Sequence, residues 1–159
     1  MSMRQLIVIL VTTLSLTACG FHLRGQLPIS EAADVIYVEA DESVFKQDLL
    51  KQLSLNGAEV VADASAAKVS LQVNDIRVER ETSTIDDRGK VNSFSVYYTV
   101  VYAVIDSEQQ VLQQNSLQEK RDYTFDPLQV LQQEREEEEL IEDMQKELIV
   151  RLVRQLSVL

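Results

Sequence analysis

The chain has 159 residues, of which 45% are hydrophobic and 26% charged, the size and mixture of a single globular domain. Its formal net charge of -11 disfavours nucleic acid as a partner, because phosphate binding needs clustered cations. A single Cys and a single His exclude an intramolecular disulfide and leave no His/Cys cluster for zinc.

The first residues of the chain have the pattern of a secretory signal. Arg4 precedes an apolar run over residues 6–16, and small residues follow it. At about 1.5 Å per residue this run reaches roughly 16 Å, about half of the hydrocarbon core, so it is too short for a transmembrane helix. Residues 1–18 are predicted to be a signal peptide.

The end of this segment, Leu16-Thr17-Ala18-Cys19, resembles the lipobox of bacterial lipoproteins. The resemblance implies cleavage before Cys19, a diacylglycerol on its thiol and an acyl chain on its new amino group. Several acyl chains bind a bilayer far more strongly than the single chain that gives only marginal binding. Residues 19–30 are then a lipidated lead-in, and Gly20 implies sorting to the outer membrane. The alternative is a chance cleavage site with an incidental cysteine.

Residues 31–159 are predicted to fold as one domain. Residues 35–38 are β-branched and aromatic and predict a strand. Residues 41–56 predict an amphipathic helix, capped by Asp41 or Ser43. Residues 58–62 predict a short second strand.

The next strands show alternating patterns. Val69, Leu71 and Val73 share one face, but Ile76 and Val78 continue with the opposite parity. Either a bulge near Asn74 and Asp75 reconciles the two halves, or the strand ends there. Asp87-Arg88-Gly89-Lys90 is a turn signal between two β-like runs and predicts a hairpin.

The strand over residues 94–105 is apolar on both faces, which is typical of a strand that is covered on both sides. The helices of so small a domain cover one side, so the second face, with Tyr97 and Val101, is expected to need a partner or a loop. The alternative is that these side chains are merely half-exposed.

The last elements are a hydrophilic edge strand over residues 111–125 and a long helix over residues 128–159, which could be broken once. The acidic run at residues 134–139 is interpreted as a solvated helix face that suits the helix dipole. The predicted fold class is α+β. It is a two-layer sandwich of an about four-stranded mixed sheet with two amphipathic helices on one face.

The sequence contains no recognisable combination of a nucleophile, a base or a phosphate-binding loop that would form a catalytic site. His22 has no serine nucleophile in a suitable motif, the four glycines are scattered, and carboxylate pairs such as Asp86 and Asp87 lie on predicted turns. The chain is therefore predicted not to be an enzyme, and no cofactor is expected beyond the covalent lipid on Cys19.

The segment Cys19-Gly20-Phe21-His22-Leu23-Arg24-Gly25 resembles the opening of the lipopolysaccharide-assembly lipoprotein LptE family, also called rare lipoprotein B. Residues 52–57, 88–89 and 125–127 resemble the family's first-helix ending, hairpin turn and entry to the last helix. The resemblance implies an outer-membrane protein inside the lumen of the β-barrel translocon LptD. There it would help the barrel assemble and help deliver lipopolysaccharide to the cell surface.

Two candidate sites follow from this resemblance. Lipopolysaccharide is polyanionic and the chain is acidic, so direct contact needs a local basic group. Arg88 and Lys90 in the hairpin turn are the candidates, although the two neighbouring aspartates reduce the local positive charge. The alternative is that the turn is charged only because it is exposed to solvent. Tyr97 and Val101, together with the segment 111–125, are the candidate barrel contacts.

Two other functions are alternatives at the level of the sequence. A lipoprotein accessory subunit of a lipid-transporting ABC system would share the anchor and a similar small α/β body. A periplasm-facing hydrolase would need a nucleophile and a base, which the sequence does not place together.

Overall fold

The computed structural model describes residues 28–41 and 43–159, apart from the side chain of Val130. The predicted signal peptide, Cys19, His22 and most of the lead-in lie outside the described residues. The elements are β1 (Val35–Glu39), α1 (Val44–Leu55), β2 (Glu59–Val61), a 3-10 turn (Ala64–Ala66), β3 (Val69–Ile85), β4 (Val91–Asp106), β5 (Val111–Thr124) and α2 (Val130–Leu156). Within this part of the chain, neither helix combines the length and the apolar character that crossing a membrane requires.

The five strands form one mixed sheet in the order β2-β1-β3-β4-β5. β1 is parallel to both of its neighbours, whereas β3, β4 and β5 are antiparallel. The α+β class and the mixed sheet are confirmed, with five strands instead of about four, since the three-residue β2 pairs with β1 at one edge. The register of β3 shifts between Val73 and Asp75, so the predicted bulge is present and the strand continues through it.

The helices begin and end close to the predicted residues. The Ser43 hydroxyl accepts a hydrogen bond from the N–H of Lys46 at 3.4 Å, so Ser43 caps α1 and the helix begins later than predicted. α2 is continuous from Val130 to Leu156, without the break that the sequence allowed. A helix of this length in so small a domain is stabilised by the apolar stripe that it buries.

Both helices lie on the same face of the sheet and enclose one core. In β4 the even-numbered side chains Val96, Tyr98, Val100, Tyr102 and Val104 are buried beneath them. Phe45, Leu49 and Leu53 of α1 pack into this core, as do the apolar residues of α2 from Met144 to Leu156. The odd-numbered residues of β4 point to the other face of the sheet.

Polar contacts fix the helices on the sheet. The Tyr98 hydroxyl donates to Oε1 of Gln145 at 3.1 Å, and Nε2 of Gln145 donates to Asp48 of α1 at 3.0 Å. Burial raises the pKa of Tyr98 to about 12. This chain of contacts joins the sheet, α2 and α1.

Candidate functional site

The face of the sheet that carries no helix is the first candidate surface. Along β4 it presents Tyr97, Val101, Ala103 and Ile105, with Thr99 among them. Ala103 is buried by its neighbours in the sheet, whereas Tyr97 and Val101 are half-buried. No described element packs against these side chains, so an apolar stripe runs along the centre of this uncovered face.

The cations on both sides of this stripe are paired with acids, whereas Glu79 and Glu81 of β3 lie on the same face and make no ion pair with the described residues. On β3 the Arg77 guanidinium is 2.7 Å from the Asp75 carboxylate. On β5 the Lys120 ammonium is 3.3 Å from Asp122 and lies 5.7 Å from the centre of the Tyr97 ring. Because the cations of the uncovered face are paired, this surface suits an apolar protein surface better than a polyanion.

The β3–β4 turn is the second candidate surface, and its backbone is held by Asp86. One carboxylate oxygen of Asp86 accepts the backbone N–H groups of Arg88 at 2.9 Å and Lys90 at 2.8 Å. Gly89 has φ +77°, in the left-handed region that glycine adopts at no steric cost. Asp86 is therefore engaged with the backbone of the turn, and Asp87 remains as the acid beside the two cations.

The β4–β5 turn provides an internal comparison, because it has the same hydrogen-bond geometry. One carboxylate oxygen of Asp106 accepts the N–H groups of Glu108 at 2.9 Å and Gln110 at 2.8 Å, and Gln109 has φ 65°. This turn is equally exposed but has no cation. The geometry of the first turn therefore does not require Arg88 and Lys90.

The side chains of Arg88 and Lys90 are exposed and make no ion pair with the described residues. Most cations on the sheet, in contrast, lie within 4 Å of a carboxylate. The structure thus brings the two predicted residues together at one tip, with both cationic groups available to a ligand.

The base of this hairpin is fixed by contacts that the sequence did not predict. The Arg80 guanidinium lies 4.9 Å from the centre of the Phe94 ring and 3.1 Å from the Glu137 carboxylate. The Tyr123 hydroxyl donates to the same carboxylate at 2.6 Å, and the rings of Phe94 and Phe125 meet edge to face at 5.3 Å. This aromatic cluster joins β3, β4 and β5 to the first turns of α2.

The acidic run of α2 is therefore only partly a solvated face. Glu134, Glu136, Glu138 and Glu139 are exposed, as predicted, but Glu137 is bound to Arg80 and Tyr123. Hydrogen bonds to Tyr123 and Glu137 raise the pKa of Arg80, and burial, together with the Glu137 bond, raises the pKa of Tyr123. The only sequence signal for this contact was the spacing that places Glu137 and Ile141 on one side of the helix.

The described part of the chain contains no group of three or more His, Cys, Asp or Glu that could hold a metal ion. Its two candidate surfaces are an apolar face, whose cations are paired, and a cationic tip. Fold and surfaces together define a two-layer α+β scaffold with two surfaces suited to binding.

A model of the LptE family, described as lipopolysaccharide-assembly, matches residues 31–156, and the chain belongs to this family. The resemblance seen in the sequence is confirmed. The family consists of non-enzymatic lipoproteins of the cell envelope that act in lipopolysaccharide transport and have no cofactor. The predictions of a lipoprotein without enzymatic activity and without a cofactor are therefore confirmed as well.

Individual relatives agree with the family assignment. The LPS-assembly lipoprotein LptE of Photorhabdus laumondii is 27% identical over 140 residues, which cover 87% of this chain and 76% of that protein. The solution structure of lipoprotein B from Nitrosomonas europaea superposes with a TM-score of 0.72 at 28% identity, covering 87% of this chain and 90% of that one. The crystal structure of rare lipoprotein B from Shewanella oneidensis, 22% identical, has the same fold with a TM-score of 0.70 and covers 78% of this chain and 94% of its own.

Proposed function

We propose that this protein is the lipid-anchored outer-membrane subunit of the lipopolysaccharide translocon. It plugs and helps assemble the LptD β-barrel and assists lipopolysaccharide delivery to the cell surface. The observation that carries the proposal is the match of residues 31–156 to the lipopolysaccharide-assembly family. The relative from Photorhabdus laumondii, which is named an LPS-assembly lipoprotein, supports it.

The uncovered face of the sheet is the proposed barrel contact. Its apolar stripe includes Tyr97 and Val101, and the two cations on its rim, Arg77 and Lys120, are paired with neighbouring acids. A barrel wall that covered this stripe would remove half-buried apolar surface from water, which stabilises association by roughly 25 cal/mol per Å². The edge strand β5 borders the same face and is part of the same proposed contact.

Photo-crosslinking in intact cells tests this proposal. A photoreactive residue at position 97 or 101 of the full chain is expected to capture the LptD barrel. The controls are positions 51 and 142, which are exposed on the outer surfaces of the two helices. Capture from the control positions alone would place the barrel on the opposite side of the domain and reject the assignment.

The hairpin tip is the proposed contact with lipopolysaccharide. Arg88 and Lys90 present two cationic groups without a partner among the described residues, and phosphate groups are their natural ligands. The comparison with the β4–β5 turn supports this function, because an equally exposed turn of the same geometry carries Glu108 instead.

The membrane anchor is the proposed lipid on Cys19, with residues 1–18 as the cleaved leader and residues 19–30 as the lead-in. Cys19 lies outside the described residues, so the sequence pattern supports this part of the proposal. The lead-in enters the domain at Ile29, whose N–H donates to the carbonyl of Asn56 at 3.2 Å.

A further inference from the structure

Leu128 and Leu131 are two unusually exposed leucines at the beginning of α2. Their side chains are 91% and 79% exposed. A single exposed leucine is ordinary on a protein surface. Leu128, however, lies in the turn just before α2, and Leu131 lies in the first turn of the helix. The two leucines flank the start of the helix, at most about 11 Å apart along the chain, and present one apolar spot to water.

This apolar spot lies at the same end of the sheet as the cationic hairpin tip. The N–H of Phe125 donates to the carbonyl of Asn92 at 2.8 Å, and Asn92 is two residues beyond Lys90. Two short connections, residues 90–92 and 125–128, join Lys90 and Leu128 to this hydrogen bond. Their maximal lengths, added to the spacing of neighbouring strands, place Lys90 and Leu128 within about 25 Å of each other. Ile85, 62% exposed, adds a further apolar side chain to the hairpin.

The residues next to Leu131 favour the apolar part of a ligand over its anionic part. A groove of about 460 Å³ runs from Leu131 along the outside of α2 and is also lined by Gln132, Arg135, Glu136 and Glu139. Its two glutamates outnumber its one cation, Arg135, so the groove is net negative and the anionic groups of a ligand are favoured at Arg88 and Lys90 instead. An apolar chain is not subject to this repulsion and can cover the leucines.

We propose that Leu128 and Leu131 form an acyl-chain contact for the same anionic glycolipid whose phosphates bind Arg88 and Lys90. This inference rests on the proposed function, since it takes lipopolysaccharide as the ligand of the tip. One bilayer leaflet is about 15 Å of hydrocarbon, so acyl chains of that length reach over more than half of the largest possible separation, and the sugar and phosphate groups that join them to Arg88 and Lys90 add to this reach. The occupant is thus an amphiphile, bound through both of its halves.

Photo-crosslinking of the full chain in cells that make lipopolysaccharide tests the inference. A photoreactive residue at position 128 or 131 is expected to form a lipopolysaccharide adduct whose site, mapped by mass spectrometry, is an acyl chain. Positions 55 and 112 are the controls, since Leu55 and Leu112 are also exposed leucines, 50% and 49%, on other parts of the surface. An adduct on the sugar alone, or equal capture at the controls, would overturn the acyl-chain contact.

A double variant gives a second readout. L128S/L131S is expected to reduce capture of lipopolysaccharide from position 87, an exposed position of the tip that leaves Arg88 and Lys90 in place, by roughly tenfold or more, because two apolar side chains lose their contact. L55S/L112S should leave it unchanged. Capture at position 87 that survives L128S/L131S refutes the acyl-chain contact but leaves the cationic tip intact. No capture at position 87 in the chain with both leucines present refutes the proposed function itself.

Discussion

Arg88 and Lys90 are the two residues whose role depends least on the rest of the fold. The turn that carries them is built from Asp86, Gly89 and the backbone, so replacing both cations leaves the turn geometry intact. R88E/K90E is therefore expected to fold normally and to bind lipopolysaccharide roughly tenfold more weakly, because charge-assisted contacts become repulsive. Binding of lipopolysaccharide by the purified full mature protein is the measurement.

The control for this prediction is K51E/R154E, which changes the net charge by the same amount. Lys51 and Arg154 are exposed, lie on the helices and make no ion pair with the described residues. Equal weakening by both double variants would show that total charge controls binding, and the hairpin would no longer be a specific site.

Tyr98 makes the stability of the domain sensitive to alkaline pH. Burial raises its pKa from 10.0 to about 12, so the folded state binds the phenolic proton more tightly than the unfolded state does. The stability from this group is present below pH 10 and is lost as the pH rises toward 12. A fall of about 2 kcal/mol in the free energy of unfolding is expected over this range.

Y98F is expected to reduce this alkaline loss, because phenylalanine has no proton to release. At neutral pH the variant should be destabilised by about 1 kcal/mol, since Gln145 loses its hydrogen-bond donor. Y37F is the control, because the Tyr37 hydroxyl on the uncovered face makes no hydrogen bond to the described residues. Denaturant titrations at several pH values are the measurement, and an unchanged alkaline slope in Y98F would contradict the assignment.

At the scale of elements, Glu137 connects the first turns of α2 to the hairpin. E137Q removes the charge that Arg80 and Tyr123 share, so amide hydrogen exchange in residues 80–93 is expected to accelerate. Because Arg80 is about half exposed, the change in global stability should be only about 0.5 kcal/mol.

E138Q is the matched control, since Glu138 is the exposed neighbour of Glu137 on the same helix. Its exchange rates in the hairpin should match those of the unaltered chain. If E137Q and E138Q give the same rates, the hairpin is held by the strand ladder alone and not by α2.

The elements themselves were largely predictable, because their signals are local. The parity change between Val73 and Ile76 indicated the bulge that the register shows, and the two apolar faces of β4 indicated its interior position. The pairing of β1 with both β2 and β3 was not predictable, since a short strand carries no information about its neighbours. Glu137 was missed for a related reason, because its partners are distant in sequence and its neighbours are solvated.

At the scale of the molecule, Ser30 and the hairpin tip lie at opposite ends of the sheet. The backbone N–H of Ser30 donates to the carbonyl of Leu156 at 3.5 Å. Gln155, which precedes Leu156, accepts a hydrogen bond from the Tyr102 hydroxyl near the end of β4. The tip precedes the beginning of β4, which spans about 50 Å at roughly 3.3 Å per residue. The cationic tip therefore lies far from the point where the chain enters the domain.

The proposed lipid on Cys19 is expected to retain the protein at the membrane. A formal net charge of -11 is repelled by anionic lipid surfaces, so electrostatic attraction does not contribute to this retention. The unaltered protein is therefore expected to stay in the membrane fraction through washes with high salt. A chain with C19S, secreted through a leader without a lipobox, is expected to be released into the soluble periplasmic fraction with its fold unchanged. Mass spectrometry of the native product decides the cause, since an unmodified thiol at Cys19 in a membrane-bound protein would require a different anchor.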